Sequence, residues 1–231
     1  MIGIIAAMES EIAAIKKEMK IDRIHTIAGL EFCKGSACNT HLVVVQCGMG
    51  KVNAALATQI LIDHFSVNAI INVGCAGSLN NSLDIGDFVV STEVVQHDYD
   101  VSSLGCEKGE ILYIEKIAFE ADPHLISAAC EAIAAAAPNR RAVAGRICSG
   151  DQFISTNAQK QSIIDNFGGA CAEMEGAAVG QTAYLNGVPF VIVRAMSDKG
   201  DSAEDFTKYV DQVTQEGAEV VLKMLTLIDF Q

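Results

Sequence analysis

The chain has 231 residues, of which 50% are hydrophobic and 19% are charged, and its mean hydropathy is +0.29. This length and apolar content predict one α/β domain with a large core, spanning residues 1–231. The formal net charge of -13 argues against a surface for nucleic acid or anionic lipid. We therefore expect a neutral or cationic small molecule as the partner.

Eight cysteines are spread along the chain without a CxxC pair or a histidine at metal-ligand spacing. Most lie in apolar runs such as VVVQCG, where cysteine packs as a small hydrophobe. The opening MIGIIAAM lacks the positive flank of a secretory signal, and no run approaches the ~18–20 apolar residues of a membrane span. These features predict a soluble cytoplasmic protein with no membrane contact and no bound metal.

Short β-branched runs predict strands at residues 2–7, 41–47, 69–75, 87–95 and 189–195. Helical periodicity is present in five segments: residues 51–65, 122–137, 157–167, 175–186 and 205–228. In the first of these, Val52, Leu56 and Ile60 recur at the spacing of one helix face. Alternation of strands and helices predicts a largely parallel sheet that is covered on both sides.

Two segments depart from this alternation. The sequence IHTIAGLEFCKG predicts an antiparallel hairpin that turns at Ala28 and Gly29. Residues 99–118 lack clear periodicity, and a loop of that length is often a lid or a binding loop. With three prolines, no low-complexity tract and no linker, the remaining pattern is that of a single domain.

Two glycine-rich turns follow predicted strands. GMGKVNAA begins as GxG, but Asn53 replaces the third glycine of the dinucleotide fingerprint, and the P-loop pattern also fails. The second turn, GCAGSL, ends a buried strand and brings the backbone close to whatever lies at that strand end. Neither turn predicts a nucleotide cofactor, and a purely structural role for the second stays open.

Acidic residues at predicted strand ends are more informative, because ligands of open α/β sheets bind at the carboxyl ends of the strands. Glu11 follows the first strand, Glu173 and Glu175 lie in CAEMEG, and Asp198 follows PFVIVRAM. Considered alone, Glu11 could be a first-turn residue that interacts favourably with the helix dipole, and Asp198 could cap a helix or turn. Glu175 lies in a segment too apolar for a solvated face, and a buried carboxylate needs a partner. Together they predict one acidic site.

Other candidate groups carry less weight. Arg194 at the end of the same strand as Asp198 is predicted to form a salt bridge to one of the glutamates. Cys75 is a weak candidate nucleophile, because no histidine is predicted beside it. The five histidines show no HExxH or comparable pairing, which argues against metal catalysis.

Six motifs occur in the order and approximate spacing of one known family: IGIIAAMESE, GMGKVNAA, NVGCAGSL, SGDQFI, AEMEGAA and RAMSD. In these, the chain resembles the 5′-methylthioadenosine/S-adenosylhomocysteine nucleosidases of the purine nucleoside phosphorylase superfamily. The resemblance implies a three-layer α/β/α fold with a mixed, largely parallel twisted sheet. It also implies hydrolysis of the N-glycosidic bond of an adenine nucleoside, without a cofactor.

By the same resemblance, Glu11 activates the attacking water, Asp198 protonates the departing adenine and Glu175 holds the ribose hydroxyls. The further residues that the family pattern places at the nucleoside or its supporting carboxylates are Met8, Cys75, Gly77, Phe153, Ile154, Glu173, Met174, Arg194 and Ser197. The resemblance further implies a homodimer in which the neighbour's loop near Leu104 closes the pocket.

Two alternative functions stay open: a phosphorylase and a catalytically silent nucleoside-binding protein. Phosphorolysis needs a cationic phosphate site, whereas this chain has Glu9 and Glu11 in the equivalent region, which favours hydrolysis. Retention of both Glu11 and Asp198 argues against a silent binder.

The sequence also departs from the family pattern. Cys75 stands where serine is common, so we expect a weaker hydrogen bond there. The loop around Leu104 diverges, and Lys199 follows the predicted acid, where a solvated side chain is the commoner arrangement. The preference among methylthioadenosine, S-adenosylhomocysteine, 5′-deoxyadenosine and aminofutalosine stays open.

Overall fold

The computed structural model describes residues 1–201 and 203–228. Its ten strands are β1 (Ile2–Ala6), β2 (Lys20–Ile27), β3 (Leu30–Ala37), β4 (Thr40–Gln46), β5 (Ala69–Ser78), β6 (Phe88–Gln96), β7 (Ala118–Glu120), β8 (Ala142–Ser149), β9 (Cys171–Glu173) and β10 (Phe190–Asp198). Its α-helices are α1 (Glu9–Glu18), α2 (Lys51–Phe65), α3 (Pro123–Ala136), α4 (Asn157–Phe167), α5 (Gly176–Leu185) and α6 (Ala203–Leu225), with a 3₁₀ turn at Ser102–Leu104.

The strands form one mixed sheet in the order β10-β6-β8-β9-β5-β1-β4-β3-β2, and β7 is added beside β6. A further pairing between β10 and β5 closes five of the strands, β5, β10, β6, β8 and β9, into a ring. Parallel pairs such as β1–β5 and β5–β10 alternate with antiparallel ones such as β10–β6 and β5–β9. The predicted mixed α/β fold is confirmed, although only half of the pairings are parallel.

The sheet is covered on both faces because successive side chains of its central strands point to opposite sides. In β1, Ile4 packs into a cluster with α1, α3 and α6, whereas Ile5 packs into a cluster with α2 and α5. Every residue of β10 is buried, which the apolar run FVIV predicts for its first four residues. A third, smaller cluster packs α4 against β8 and β9. None of the described helices is both long and apolar enough to cross a bilayer.

Local sequence explains where several helices begin. Helix α3 starts with Pro123, and the Asp122 carboxylate accepts hydrogen bonds from the backbone N–H of His124 (2.9 Å) and Leu125 (3.0 Å). Thr156 caps α4 in the same way. Each of these caps satisfies backbone donors that the first helical turn leaves free.

The five predicted strands and five predicted helices are present, with ends that differ by a few residues. The hairpin at Ala28 and Gly29 is confirmed, but β2 begins earlier than the sequence pattern predicted. Helix α1 and strands β7, β8 and β9 were not predicted. The stripe in α2 also differs from the expected core face: Val52 and Leu56 are exposed, and Leu61 and Phe65 on another face are buried.

Candidate active site

One cavity, with about 570 Å³ of space, lies at the carboxyl ends of β1, β5, β8 and β10. Its lining residues come from seven segments of the chain: Ala7, Met8, Glu11, Met49, Cys75, Ala76, Gly77, Gln152, Phe153, Ile154, Ala172, Glu173, Met174, Glu175, Ser197, Asp198 and Phe206. All the predicted site residues line it except Arg194, which lies buried behind the carboxylates. The acidic residues that the sequence placed at separate strand ends therefore meet at one site.

Glu11 lies in the first turn of α1 and is buried. One carboxylate oxygen accepts a hydrogen bond from the Met8 N–H (2.8 Å), and the other accepts one from the Cys75 N–H (3.1 Å). The Cys75 thiol lies 3.7 Å from the same oxygen, which is a weak contact. Burial raises the pKa of Glu11, although the Arg194 charge and these backbone donors oppose the rise.

Glu173 is the most strongly held carboxylate. It accepts hydrogen bonds from the Gly176 N–H (2.8 and 3.0 Å), the Ser149 hydroxyl and the Arg194 guanidinium, whose Nε lies 3.1 Å away. Burial alone would raise the pKa of Glu173, but the Arg194 charge and the hydrogen bonds outweigh it and lower that pKa. Glu173 is therefore the ionised partner of Arg194, and the salt bridge predicted for Arg194 is present.

Glu175 is bound differently, and its pKa is shifted in the opposite direction. Its carboxylate accepts a hydrogen bond from the Gly50 N–H (2.8 Å) and lies 3.5 Å from Arg194. Burial, followed by repulsion from Glu173, raises the pKa of Glu175 to about 7. The turn GMGK, which fails the nucleotide motifs, thus donates a backbone N–H to a carboxylate.

Arg194 connects these groups. Its guanidinium contacts Glu173 and Glu175 and donates a hydrogen bond to the Asn72 side-chain oxygen (2.7 Å). Burial alone would lower the pKa of Arg194, but the charges of Glu173, Glu175 and Glu11 raise it further above its usual range. Arg194 therefore stays charged, and its positive charge offsets the repulsion among the acidic side chains in this buried region.

Asp198 is the last residue of β10, a strand that pairs with β5, and it lines the cavity. Its two oxygens accept hydrogen bonds from the Gly200 N–H (2.7 Å) and the Ser197 hydroxyl (2.8 Å). Burial raises the pKa of Asp198, and the charges of Asp201 and Asp205 add to the rise. Asp198 is thus a buried carboxyl group disposed to carry a proton.

Lys199 does not face this carboxyl group. Its ammonium donates hydrogen bonds to the Leu83 carbonyl oxygen and to the Asp84 carboxylate, the latter at 2.8 Å. The side chain is partly exposed and forms an ion pair with Asp84 at the surface. The sequence suggested a solvated lysine without such a partner.

Two glycines in strand β5 make room for the carboxylates. A Cβ at Gly74 would meet the Arg194 guanidinium and lie 2.6 Å from a Glu11 carboxylate oxygen. A Cβ at Gly77 would lie 2.8 Å from Asp198 Oδ1. Both distances are too short for real contacts, so the packing of the acidic groups requires glycine at both positions. The glycine-rich turn predicted for GCAGSL is not present, because β5 continues to Ser78.

Apolar side chains form the remaining walls: Met8, Ile154 and Met174, with the half-exposed ring of Phe153. Sequence reasoning missed Met49 and Phe206. The Phe206 ring from α6 packs edge-to-face on Phe153, with centroids 5.4 Å apart. Met49 lies in the GMG turn, which was considered only as a phosphate loop. Nothing in the periodicity of α6 indicated that Phe206 would reach the cavity.

The described residues contain no group of three or more His, Cys, Asp or Glu side chains arranged to hold a metal ion. Of the described residues lining the cavity, none is lysine or arginine. The chemistry available there is that of carboxyl groups, backbone donors and an apolar wall with an aromatic ring.

The phosphorylase superfamily matches residues 1–227 of the chain. Within that superfamily, a 5′-methylthioadenosine/S-adenosylhomocysteine nucleosidase of Shewanella halifaxensis is 40% identical over 227 residues, covering 97% of this chain and 98% of that protein. The chain therefore belongs to the 5′-methylthioadenosine/S-adenosylhomocysteine nucleosidase family.

Two solved structures match almost the whole chain. The nucleosidase of the same name from Neisseria meningitidis, in complex with methylthio-immucillin-A, has a TM-score of 0.94 at 31% identity, over 98% of this chain and 99% of that one. The futalosine hydrolase of Helicobacter pylori has a TM-score of 0.93 at 31% identity, over 98% and 97%. The fold is thus shared by enzymes that are named for different nucleosides.

Proposed function

We propose that this protein hydrolyses the N-glycosidic bond of 5′-methylthioadenosine and S-adenosylhomocysteine, releasing adenine. The observation that carries the proposal is the meeting of two buried carboxyl groups of raised pKa, Glu11 and Asp198, in one cavity. A base that activates water and an acid that protonates the leaving group are what this reaction needs. The relative from Shewanella halifaxensis carries the same activity in its name.

Glu11 is the proposed base. Its two oxygens are fixed by the N–H groups of Met8 and Cys75, so the carboxylate keeps one orientation toward the cavity. A raised pKa makes the ionised form a stronger acceptor for the proton of an attacking water. General acid-base catalysis of this kind increases the rate by about 10²-fold to 10⁴-fold.

Asp198 is the proposed acid. Adenine is a poor leaving group until a ring nitrogen is protonated, and a carboxyl group of raised pKa can supply that proton. Phe153, held by Phe206, lies in the same cavity and offers an aromatic face for the base. Ile154 and Met174 complete this apolar side.

Glu175 is proposed to bind the ribose hydroxyls, with Glu173 and Arg194 behind it. Loss of the base builds positive charge on the ribose, and a nearby carboxylate stabilises that charge. Met8, Cys75, Gly77 and Ser197 would complete the contacts with the sugar and the water. We propose that no metal or cofactor takes part.

Hydrolysis is favoured over phosphorolysis by the charge of the cavity. A phosphate beside the anomeric carbon needs arginines or a free helix N-terminus. The described lining offers carboxylates instead, and Arg194 is already paired with Glu173 and Glu175. An attacking neutral water avoids the repulsion that a phosphate dianion would meet.

A homodimer is the proposed assembly, and exposed apolar side chains support it. Met49, Val52, Leu104 and Tyr113 are 62%, 78%, 69% and 93% exposed. Met49 also lines the cavity, so a second copy that covered Met49 would help to close the cavity. We propose that the partner's loop near Leu104 performs this closure.

We further propose that the chain is one domain, in line with its continuous sheet, and that it works in the cytoplasm. The eight free cysteines suit a reducing compartment.

The test is chromatographic. The protein is incubated separately with methylthioadenosine, S-adenosylhomocysteine and futalosine in phosphate-free buffer and again with phosphate, and the released base and sugar product are quantified. We expect adenine without phosphate from the first two nucleosides. Release only with phosphate, together with a sugar phosphate, would show a phosphorylase. Turnover of futalosine alone would move the assignment to the activity named for the Helicobacter pylori hydrolase, and binding without turnover would show a silent binder.

Matched variants assign the roles. Glu11→Gln and Asp198→Asn should each abolish most adenine release, whereas Glu9→Gln should not. Glu9 lies on the same helical turn as Glu11 but is exposed and paired with Lys16. Near-normal turnover in either of the first two variants would show that the assigned residue is wrong.

A further inference from the structure

A buried lysine lies behind the proposed acid. Lys160 belongs to α4 and is 7% exposed, although burial of a lysine ammonium is costly without partners. Its Nζ donates hydrogen bonds to the Lys199 carbonyl oxygen (2.6 Å) and to the Asn81 side-chain oxygen (3.2 Å). Within the described part of the chain, these two oxygens are its hydrogen-bonding partners, and it forms no ion pair there.

The first of these bonds leads directly to Asp198. The carbonyl oxygen of Lys199 and the N–H of Gly200 belong to the same peptide unit. That N–H donates to Asp198 Oδ1 at 2.7 Å. One peptide unit therefore accepts from the Lys160 ammonium at its oxygen and donates to the Asp198 carboxylate at its nitrogen.

Such an arrangement has an electrostatic consequence. A cation on a carbonyl oxygen draws electron density from the amide and makes its N–H a stronger donor. The strengthened donor stabilises the ionised carboxylate and fixes the direction of its other oxygen. Lys160 thus opposes burial and the charges of Asp201 and Asp205, which favour the protonated form of Asp198.

We propose that Lys160 is a positioning residue for Asp198, acting through the peptide unit between Lys199 and Gly200. This inference rests on the proposed role of Asp198 as the acid. Lys160 touches neither substrate nor the reacting atoms; it orients the acid and limits how tightly the acid holds its proton.

The backbone around this peptide unit supports the assignment. Gly200 has a φ of +70°, a conformation that glycine adopts without strain. A Cβ there would lie 3.0 Å from the Ser78 carbonyl oxygen. The β5 backbone therefore approaches Gly200 too closely for a larger residue, while Lys160 binds the carbonyl oxygen of the same peptide unit. The other charged groups facing Asp198 are Asp201 and Asp205, and the Cys75 thiol approaches from β5.

Lys199 provides the matched control. It is adjacent to Asp198 in sequence and carries the same charge, but its ammonium binds Leu83 and Asp84 on the outer side of the loop. Lys199→Met removes a positive charge and a loop contact while leaving the hydrogen bond from Lys160 to the peptide unit in place.

The experiment compares Lys160→Met, Lys199→Met and the unaltered protein on two substrates across pH. Methylthioadenosine needs protonation of its leaving group. A 4-nitrophenyl 5-methylthioribofuranoside does not, because nitrophenolate leaves as the anion. The titration of Asp198 is followed separately by ¹³C NMR of aspartate-labelled protein, with Asp198→Asn to assign the signal.

In Lys160→Met we expect kcat/KM for methylthioadenosine to fall by about tenfold, a part of the contribution of a positioned acid. Turnover of the nitrophenyl substrate should stay within about twofold, because it bypasses the acid. The Asp198 titration and the basic limb of the pH profile should move to higher pH. Lys199→Met should show none of these changes.

An unchanged Asp198 titration, or equal losses on both substrates, would overturn the inference and leave Lys160 a purely structural residue. Lys160→Gln, which keeps a donor but loses the charge, is the second variant if Lys160→Met does not fold, and it should shift the titration in the same direction. Absence of adenine release by the unaltered protein would refute the proposed function, whereas the NMR titration would still decide whether Lys160 acts on Asp198.

Discussion

Replacing Arg194 with methionine removes the cation that holds Glu173, and the cost can be reasoned from the contacts that are lost. Glu173 loses the guanidinium, Asn72 loses its 2.7 Å hydrogen bond, and Glu175 loses a cation at 3.5 Å. Removing one partner of a buried ion pair costs about 3–5 kcal/mol. Since domains are stable by about 5–15 kcal/mol, this change would consume a large share of the free energy of unfolding.

The sign of the pH dependence follows from Glu173. Its lowered pKa in the folded protein contributes stability that is present above the pKa of the unfolded chain and is lost as the pH falls through the folded value. In Arg194→Met, burial no longer has an opposing charge and raises the pKa of Glu173. Glu173 then contributes stability to the variant below its unfolded pKa, and this contribution is lost as the pH rises through the raised folded pKa. The difference from the unaltered protein is therefore larger at pH 7 than at pH 5.

Urea unfolding at both pH values, followed by circular dichroism, measures this difference. The double variant Arg194→Met with Glu173→Gln removes the uncompensated charge and should be more stable at pH 7 than Arg194→Met alone. A double variant no more stable than the single one would refute the reasoning. So would a loss of less than about 1 kcal/mol for Arg194→Met, because that is the range of exposed pairs.

Glu11→Gln should lower kcat by about 10² to 10⁴ while an adenosine analogue still binds in calorimetry; weaker binding with unchanged kcat would contradict the role. Gly77→Ala should displace Asp198, whose Oδ1 would lie 2.8 Å from the new Cβ, and lower adenine release more than it lowers the melting temperature. Glu175, with its pKa raised to about 7, favours folding while protonated, so its contribution is lost as the pH rises through 7. Glu175→Gln should therefore flatten the melting temperature between pH 5 and pH 8. Leu104→Asp should weaken the proposed dimer in sedimentation velocity and raise KM for methylthioadenosine; an unaffected dimer would place the interface elsewhere.

The parts of the fold that the sequence predicted are those with a uniform pattern. Strands β1 and β10 are buried on both faces, so their apolar runs are continuous and easily recognised. Strand β8 was missed because Gly145 and Arg146 interrupt its apolar pattern. Arg146 is tolerated there because it lies opposite Glu93 of β6 and pairs with it at 2.7 Å. A contact with a distant strand cannot be read from local periodicity.

The acidic residues of the candidate site could be predicted from the sequence, whereas part of its apolar wall could not. Carboxylates at several strand ends were expected to meet because of sheet geometry, and they line one cavity. Met49 and Phe206 were missed because their positions depend on how the turn after β4 and helix α6 pack. The stripe of Val52 and Leu56 misled for a related reason: apolar periodicity does not distinguish a core face from an exposed apolar face.

The closure of β10 onto β5 has a consequence for solubility. An open sheet offers two unpaired edges to which other chains can add strands, and each is an aggregation risk. Here β10, at one end of the strand order, also pairs with β5 and is not a free edge. The added β7 has only three residues, so β2 is the long edge left among the described strands. That strand is irregular at Ile21 and Arg23 and exposes charged side chains at Lys20, Asp22 and Arg23. Although half of the residues are hydrophobic, the described strands thus leave a single long edge with which another chain could pair. That edge strand is charged and irregular.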